Sequence, residues 1–196
     1  MIENQFISSV ISRLKRLLVD AGRYRKYLLH PQSPIVFANS FPKSGTNLFT
    51  QILSGLTLQG DFVNYPHGPL LTYENQSGEK RSVKRIVSEL SSLLAGEIAT
   101  GHLHASQEVM DILNQSSFIT FFLYRDLRDV VVSHAFYVTD LAENHVHHRY
   151  YLEELQDMSA RIKTSIMGIK DKTIEFPDIR SRFVPYLKWM NTANVL

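Results

Sequence analysis

Residues that can do chemistry crowd into two short stretches. The first reads Asn39, Ser40, Phe41, Pro42, Lys43, Ser44, Gly45, Thr46, Asn47, between an apolar run at 35–38 and an apolar-periodic segment from about Thr46 to Leu58. A helix that begins at Gly45 or Thr46 leaves its first N–H groups without partners and turns the positive end of its dipole onto the loop. Such a helix start binds phosphate or sulfate. Gly45 lets an anion approach the backbone closely. Lys43 supplies a full positive charge, Thr46 a hydroxyl and Asn47 an amide. The spacing is not that of a Walker loop, which needs GxxxxGK[ST] with its lysine after the second glycine. Here Lys43 precedes Gly45 and the first glycine is absent. The plain alternative is a turn in which Ser44 or Thr46 caps the helix.

The second stretch is Tyr124, Arg125, Asp126, Leu127, Arg128, Asp129, between the apolar run 118–124 (FITFFLY) and a helical segment reading VVVSHAFY. Asp126 is placed to cap that helix, and Asp129 to sit in its first turn, where negative charge is favoured. Arg125 emerges at the carboxyl end of its strand, the edge at which open α/β sheets bind ligands. A guanidinium there grips a phosphate through two parallel hydrogen bonds. Ser133, two turns on, offers a hydroxyl. The plain alternatives are a salt bridge from Arg125 to Asp126, Asp129 or another carboxylate, and back-bonding of Ser133 to the carbonyl four residues earlier.

Strands alternating with helices must position these stretches. The patterns predict strands at 35–38, 97–103 and 118–124 and helices at 46–58, 83–94, 107–113, 126–139, 152–169 and 179–193, with 61–78 mostly loop. That alternation predicts an α/β fold with a mostly parallel sheet. Residues 1–30 form a separate piece, divided from the domain at 31–196 by Pro31 and Pro34. There Ile7, Val10, Ile11, Leu14, Leu17 and Leu18 recur at helical spacing among Arg13, Lys15, Arg16, Arg23, Arg25 and Lys26. A basic amphipathic helix of this kind lies on an anionic membrane, or packs its apolar face on its own domain.

The 196 residues are 44% hydrophobic, enough for one compact domain. With 21 basic and 19 acidic residues the net charge is +2, so no nucleic-acid partner is expected. No run of about 18 apolar residues predicts a spanning helix, and the N-terminus does not read as a secretory signal. The chain has no cysteine, which excludes disulfides, Cys-ligated zinc, iron–sulfur clusters and thiol nucleophiles. The expected location is cytoplasmic, with peripheral membrane contact through the N-terminal helix as a further possibility.

Together the two motifs resemble the sulfotransferase family that uses 3′-phosphoadenosine 5′-phosphosulfate (PAPS). FPKSGTN is similar to that family's 5′-phosphosulfate loop and YRDLRDVVVSH to its 3′-phosphate motif, in matching order and context. The resemblance implies a three-layer, P-loop NTPase-like sulfotransferase fold that is C-terminally incomplete. It implies that Lys43, Ser44, Gly45, Thr46 and Asn47 hold the 5′-phosphosulfate and that Arg125 and Ser133 hold the 3′-phosphate. Three positions depart from the commoner pattern: Asn47 where many members have threonine, Leu48 where many have a tryptophan that stacks on adenine, and Leu127 where many have proline.

The resemblance also places a catalytic histidine between the motifs, where Ala99, Thr100, Gly101, His102, Leu103, His104 stand. His102 aligns best, with His104 as understudy; a neutral imidazole suits a hydroxyl's proton. Lys43 joins His102 in catalysis. PAPS is the implied co-substrate, the acceptor a small molecule, sugar or lipid, and no metal is expected. His145, His147 and His148 fit no zinc spacing and read as a solvated loop, and His134 as structural. Family members usually continue past the helix PYLKWMN into a further strand and a C-terminal phosphate-binding segment. An unpaired sheet position there exposes an edge, so a homo-oligomer is an expectation. The alternatives are a non-catalytic PAPS-binding relative or inactive fragment, and a P-loop kinase, which the missing Walker spacing disfavours.

Overall fold

The computed structural model describes residues 2–74, 78–170, 175–192 and 195–196, without the side chains of 2–10, Gln59, Lys170 and Glu175. A long helix α1 (Ile2–Leu29) precedes the sheet. Strands β1 (Ile35–Ser40), β2 (Val63–Asn64), β3 (Leu70–Leu71), β4 (Glu97–His102) and β5 (Phe118–Leu123) form one sheet, in the order β2-β4-β1-β5 with β3 also on β4. Every pairing in it is parallel. Val195 extends it by a parallel bridge to Thr120 beside β5.

All six residues of β1 are buried, as a central parallel strand requires. Its side chains alternate between two cores. Ile35, Phe37 and Phe41 meet Ile86 and Leu90 of α3 (Val83–Leu90), Val109 and Leu113 of α4 (Gln107–Leu113), and Tyr186 and Trp189. Val36 and Ala38 meet Leu53 and Phe49 of α2 (Thr46–Ser54) on the other face. The result is an α/β sandwich of three layers. Gly101 on β4 is required where β3 passes, because a Cβ there would lie 2.6 Å from the Leu70 carbonyl oxygen and 2.8 Å from Phe37.

The stretch 61–78 is mostly loop, as expected, with the two-residue strands β2 and β3 in it, too short for a period-2 pattern to register. Three expectations need correction. The helix expected over 152–169 is two, α6 (His148–Glu153) and α7 (Met158–Met167), because Asp157 starts a new helix by accepting from the Ala160 N–H at 2.8 Å. Beyond it Ile169–Lys170 and Glu175–Phe176 pair as an antiparallel ribbon, β6 and β7. Helix α8 (Ile179–Phe183) tightens to a 3-10 helix at Val184–Asn191, which contains Pro185. Helix α5 (Leu127–Phe136) continues as one π-helical turn, Tyr137–Leu141.

Candidate active site

The strands carrying the two motifs are neighbours and end together. Asn39 lies opposite Gly101 and Ser40 opposite Leu123. The loop after β1, His102 at the tip of β4 and the chain after β5 therefore leave the sheet from one edge, its carboxyl edge. The Phe41 N–H donates to the Leu123 carbonyl at 2.9 Å. A Cβ placed on Gly45 would lie 3.9 Å from Leu123 Cδ2. The loop thus rests directly against the end of β5.

Gly45 caps α2 in the left-handed region (φ 100°, ψ 22°), without a side-chain cap. The capping roles offered by Ser44 and Thr46 are not taken up. Thr46 Oγ1 instead meets Ser40 Oγ at 2.8 Å, and Ser44 Oγ is buried with no hydrogen-bond partner. The first helical bond runs from the Phe49 N–H to the Gly45 carbonyl at 3.1 Å, so the N–H groups of Thr46, Asn47 and Leu48 have no intrahelical acceptor. Lys43 has a φ of 70°, a region that costs a non-glycine residue about 1 kcal/mol or more and is often occupied at functional loops. Its Nζ sits 3.5 Å from the centroid of the Tyr137 ring. Burial lowers its pKa below the usual lysine value. Uncapped amides, an orphaned buried hydroxyl and a held lysine suit an anion.

His102 is tied to the same loop. Its Nδ1 lies 2.8 Å from the Ser40 carbonyl oxygen and 3.1 Å from Ser40 Oγ. A carbonyl only accepts, so Nδ1 carries the proton and Nε2 is the basic nitrogen. Burial lowers the pKa, the bond to Ser40 opposes this, and the nearby Lys43 charge lowers it further. The ring is therefore neutral at pH 7. Asn39 fixes the next residue, taking the Leu103 N–H at 2.8 Å and donating to its carbonyl at 3.0 Å, where Trp189 Nε1–H also donates at 2.9 Å. His104 lies past the end of β4, edge-on to Tyr73 and Tyr186, and burial takes its pKa to about 4. The two histidines thus have different surroundings.

Arg125 is half exposed and its Nε donates to Asp129 at 3.0 Å, the ion pair weighed as the plain alternative. Asp126 caps α5 by accepting from the Arg128 N–H at 2.9 Å. Ser133 is half-buried on α5.

The histidines of 145–148 are not a solvated loop. The segment folds back so that His147 is buried against Phe176, whereas His148 turns away to the Val138 carbonyl at 2.6 Å. His134, His145 and His147 bring one nitrogen each within 4.8 Å of one another. His134 Nδ1 lies 3.0 Å from Ser165 Oγ, and His147 Nδ1 has no partner. Burial takes the pKa of His134 to about 2 and of His147 to about 4. Three neutral imidazoles are a ligand set of the kind zinc uses. Arg182 and Lys43 act on His134 as neighbouring positive charges, however, and oppose a dication there.

Ser40, Asn39 and Tyr137 gained no role from sequence. The signal was present for the first two: polar residues closing an apolar strand whose neighbours are all buried. Tyr137 carried none, because its meeting with Lys43 depends on how α5 crosses the loop.

No protein-family model and no curated protein matches the sequence. Among solved structures, the chain is similar to the mouse sulfotransferase SULT7A1 complexed with PAP, at 18% identity and a TM-score of 0.47. The match covers 83% of this chain and 50% of that one, so the chain spans about half its length.

Proposed function

We propose that this chain binds PAPS across the carboxyl edge of its sheet and transfers the sulfuryl group to an acceptor hydroxyl or amine. The observation that supports this reading best is that two anion-suited segments, the Lys43–Asn47 helix start and the chain leading into Arg125, leave the same sheet edge from the adjacent parallel strands β1 and β5, with the loop resting on Leu123. Lys43, Ser44, Gly45, Thr46 and Asn47 hold the 5′-phosphosulfate; Arg125 and Ser133 hold the 3′-phosphate. Bound PAPS supplies a sulfuryl group already activated by its bond to phosphate. His102 Nε2 takes the acceptor's proton as the acceptor attacks in line. Lys43 and the α2 amides stabilise the charge left on the phosphate oxygen. Positioning and electrostatics carry the rate, as they do in phosphoryl transfer.

The test is transfer of labelled sulfate from PAPS to a panel of phenols, alcohols, sugars and lipids, alongside calorimetric titration with the desulfated nucleotide. Transfer with binding supports the proposal. Binding without transfer leaves a nucleotide-binding protein and overturns the catalytic half. Absence of binding, or magnesium-dependent ATP turnover, overturns the whole.

A further inference from the structure

Helix α1 presents its polar side to the protein. At about 100° per residue, Lys15, Arg16, Val19, Asp20 and Arg23 fall on one side. All five line a cavity of about 760 Å³ between α1, the 65–70 segment and α3. The anchoring bonds come from that side and from the helix end. Arg23 pairs with Glu97 at 2.5 Å and Asp20 at 3.1 Å, Asp20 with His67 at 3.0 Å, and Lys26 Nζ donates to the Gly60 carbonyl at 3.0 Å. On the opposite side, a mainly apolar arc of about 120°, with the exposed Arg25 inside it, faces outward. Its Ile11, Leu14, Leu17, Leu18, Leu28 and Leu29 are 47–75% exposed. Amphipathic helices on soluble domains normally face the other way.

We propose that α1 is a membrane-surface anchor that lays this arc into the interface of an anionic bilayer. Six Lys and Arg residues stand against Glu3 and Asp20 across Ile2–Leu29. Arg13 flanks the arc and Arg25 lies within it, both exposed, where their long stems reach headgroups while the leucines enter the acyl boundary. The same charge argues against a second copy as the occupant. Two such helices face to face bring like charges together, whereas an anionic lipid surface neutralises them. Among the described residues no helix is long and apolar enough to cross a membrane, so the anchor lies on the surface. This inference is independent of the nucleotide site.

The experiment is flotation of the full chain with phosphatidylcholine vesicles, with and without about one third phosphatidylserine, at low and high salt. Binding is expected to the anionic vesicles, with release at high salt. Leu14→Asp with Leu18→Asp should abolish it, and Arg13→Gln with Arg25→Gln should weaken it about fivefold per charge removed. These side chains are exposed, so circular dichroism and the thermal midpoint should match the parent. No binding to anionic vesicles, equal binding to neutral ones, or full binding by both variants overturns the proposal. So does a lipid-free dimer that the leucine variant converts to monomer while vesicles capture nothing.

Discussion

Arg125 gives the sharpest test of the nucleotide site, because the structure shows what it must give up. Its guanidinium is held by Asp129 at 3.0 Å, with both side chains about half exposed. An ion pair this wet contributes only about 0.5 kcal/mol. A charged hydrogen bond to a phosphate contributes about 1.5–3 kcal/mol, more if the guanidinium engages two oxygens. The exchange therefore favours the phosphate. Arg125→Ala should weaken binding of the desulfated nucleotide by about 2 kcal/mol, roughly thirtyfold in Kd. Asp129→Asn should act in the opposite direction. It frees Arg125 and removes a negative charge from the site, tightening binding by about 0.5 kcal/mol, or roughly twofold. In the Arg125→Ala background that gain should shrink, since only the repulsion remains. At high salt the Asp129 effect should fade, because the screening length drops to about 3 Å at 1 M. Isothermal titration of the four proteins completes the cycle. A Kd for Arg125→Ala within twofold of the parent, or weaker binding in Asp129→Asn, refutes the assignment of Arg125 to a phosphate.

Lys43→Ala and His102→Ala should each lower sulfate transfer at least about a hundredfold, while His104→Ala stays within about tenfold. Steady-state turnover checks this, and normal turnover in His102→Ala removes the histidine from the mechanism. A base must be neutral to act, so turnover should fall as pH drops through the His102 pKa, which burial places below the ordinary 6.5. An acid limb centred at or above that value in the pH profile of kcat/KM, which reports the unliganded protein, contradicts the environment described here. Arg23→Ala should cost about 3 kcal/mol, because it strands the Glu97 carboxylate in the interior with only the Leu94 N–H, at 2.9 Å, for company. At about 2–4 °C per kcal/mol the thermal midpoint should fall by roughly 6–12 °C, and Glu97→Gln in that background should recover part of it. An unchanged midpoint would mean that α1 does not dock through this pair.

What could be read from the residues follows from the range of the forces involved. β1 and β5 announce themselves as short runs of mostly apolar, β-branched and aromatic residues, and β1 is buried on both faces, whereas β4, with Glu97, Thr100, Gly101 and His102, carries a weaker signal. The edge at which Lys43, His102 and Arg125 emerge follows from parallel order alone. The start of α2 was legible as a helix terminus, but its cap was not. Whether Ser44 or Thr46 turns back to cap, or Thr46 turns to Ser40, depends on a neighbour six residues away. The packing of His145 and His147 was not legible, because local spacing says nothing of a partner on another element. Here His134 comes from α5 and is met by a folded-back turn. The outward apolar face of α1 was the least legible, since helical periodicity fixes which residues share a face and not which face the domain receives.

The contacts around Ser40 bear on how binding and proton transfer connect. The Nδ1–H of His102 is directed at Ser40, whose carbonyl oxygen it meets at 2.8 Å and whose Oγ at 3.1 Å. Ser40 Oγ and Thr46 Oγ1 lie 2.8 Å apart, and when the Ser40 hydroxyl is the donor the Thr46 hydroxyl proton is left for an anion on the loop. In that arrangement the donors run from the imidazole toward the loop. A proton gained at Nε2 makes Nδ1–H a stronger donor, and an anion on the loop draws the whole chain toward itself. Negative charge at Thr46, on the proposed mechanism, favours the protonated form of a histidine whose burial disfavours it. On the proposed mechanism this compensation matters most at the moment of transfer, when His102 becomes charged and the phosphate oxygen on the loop gains the matching charge.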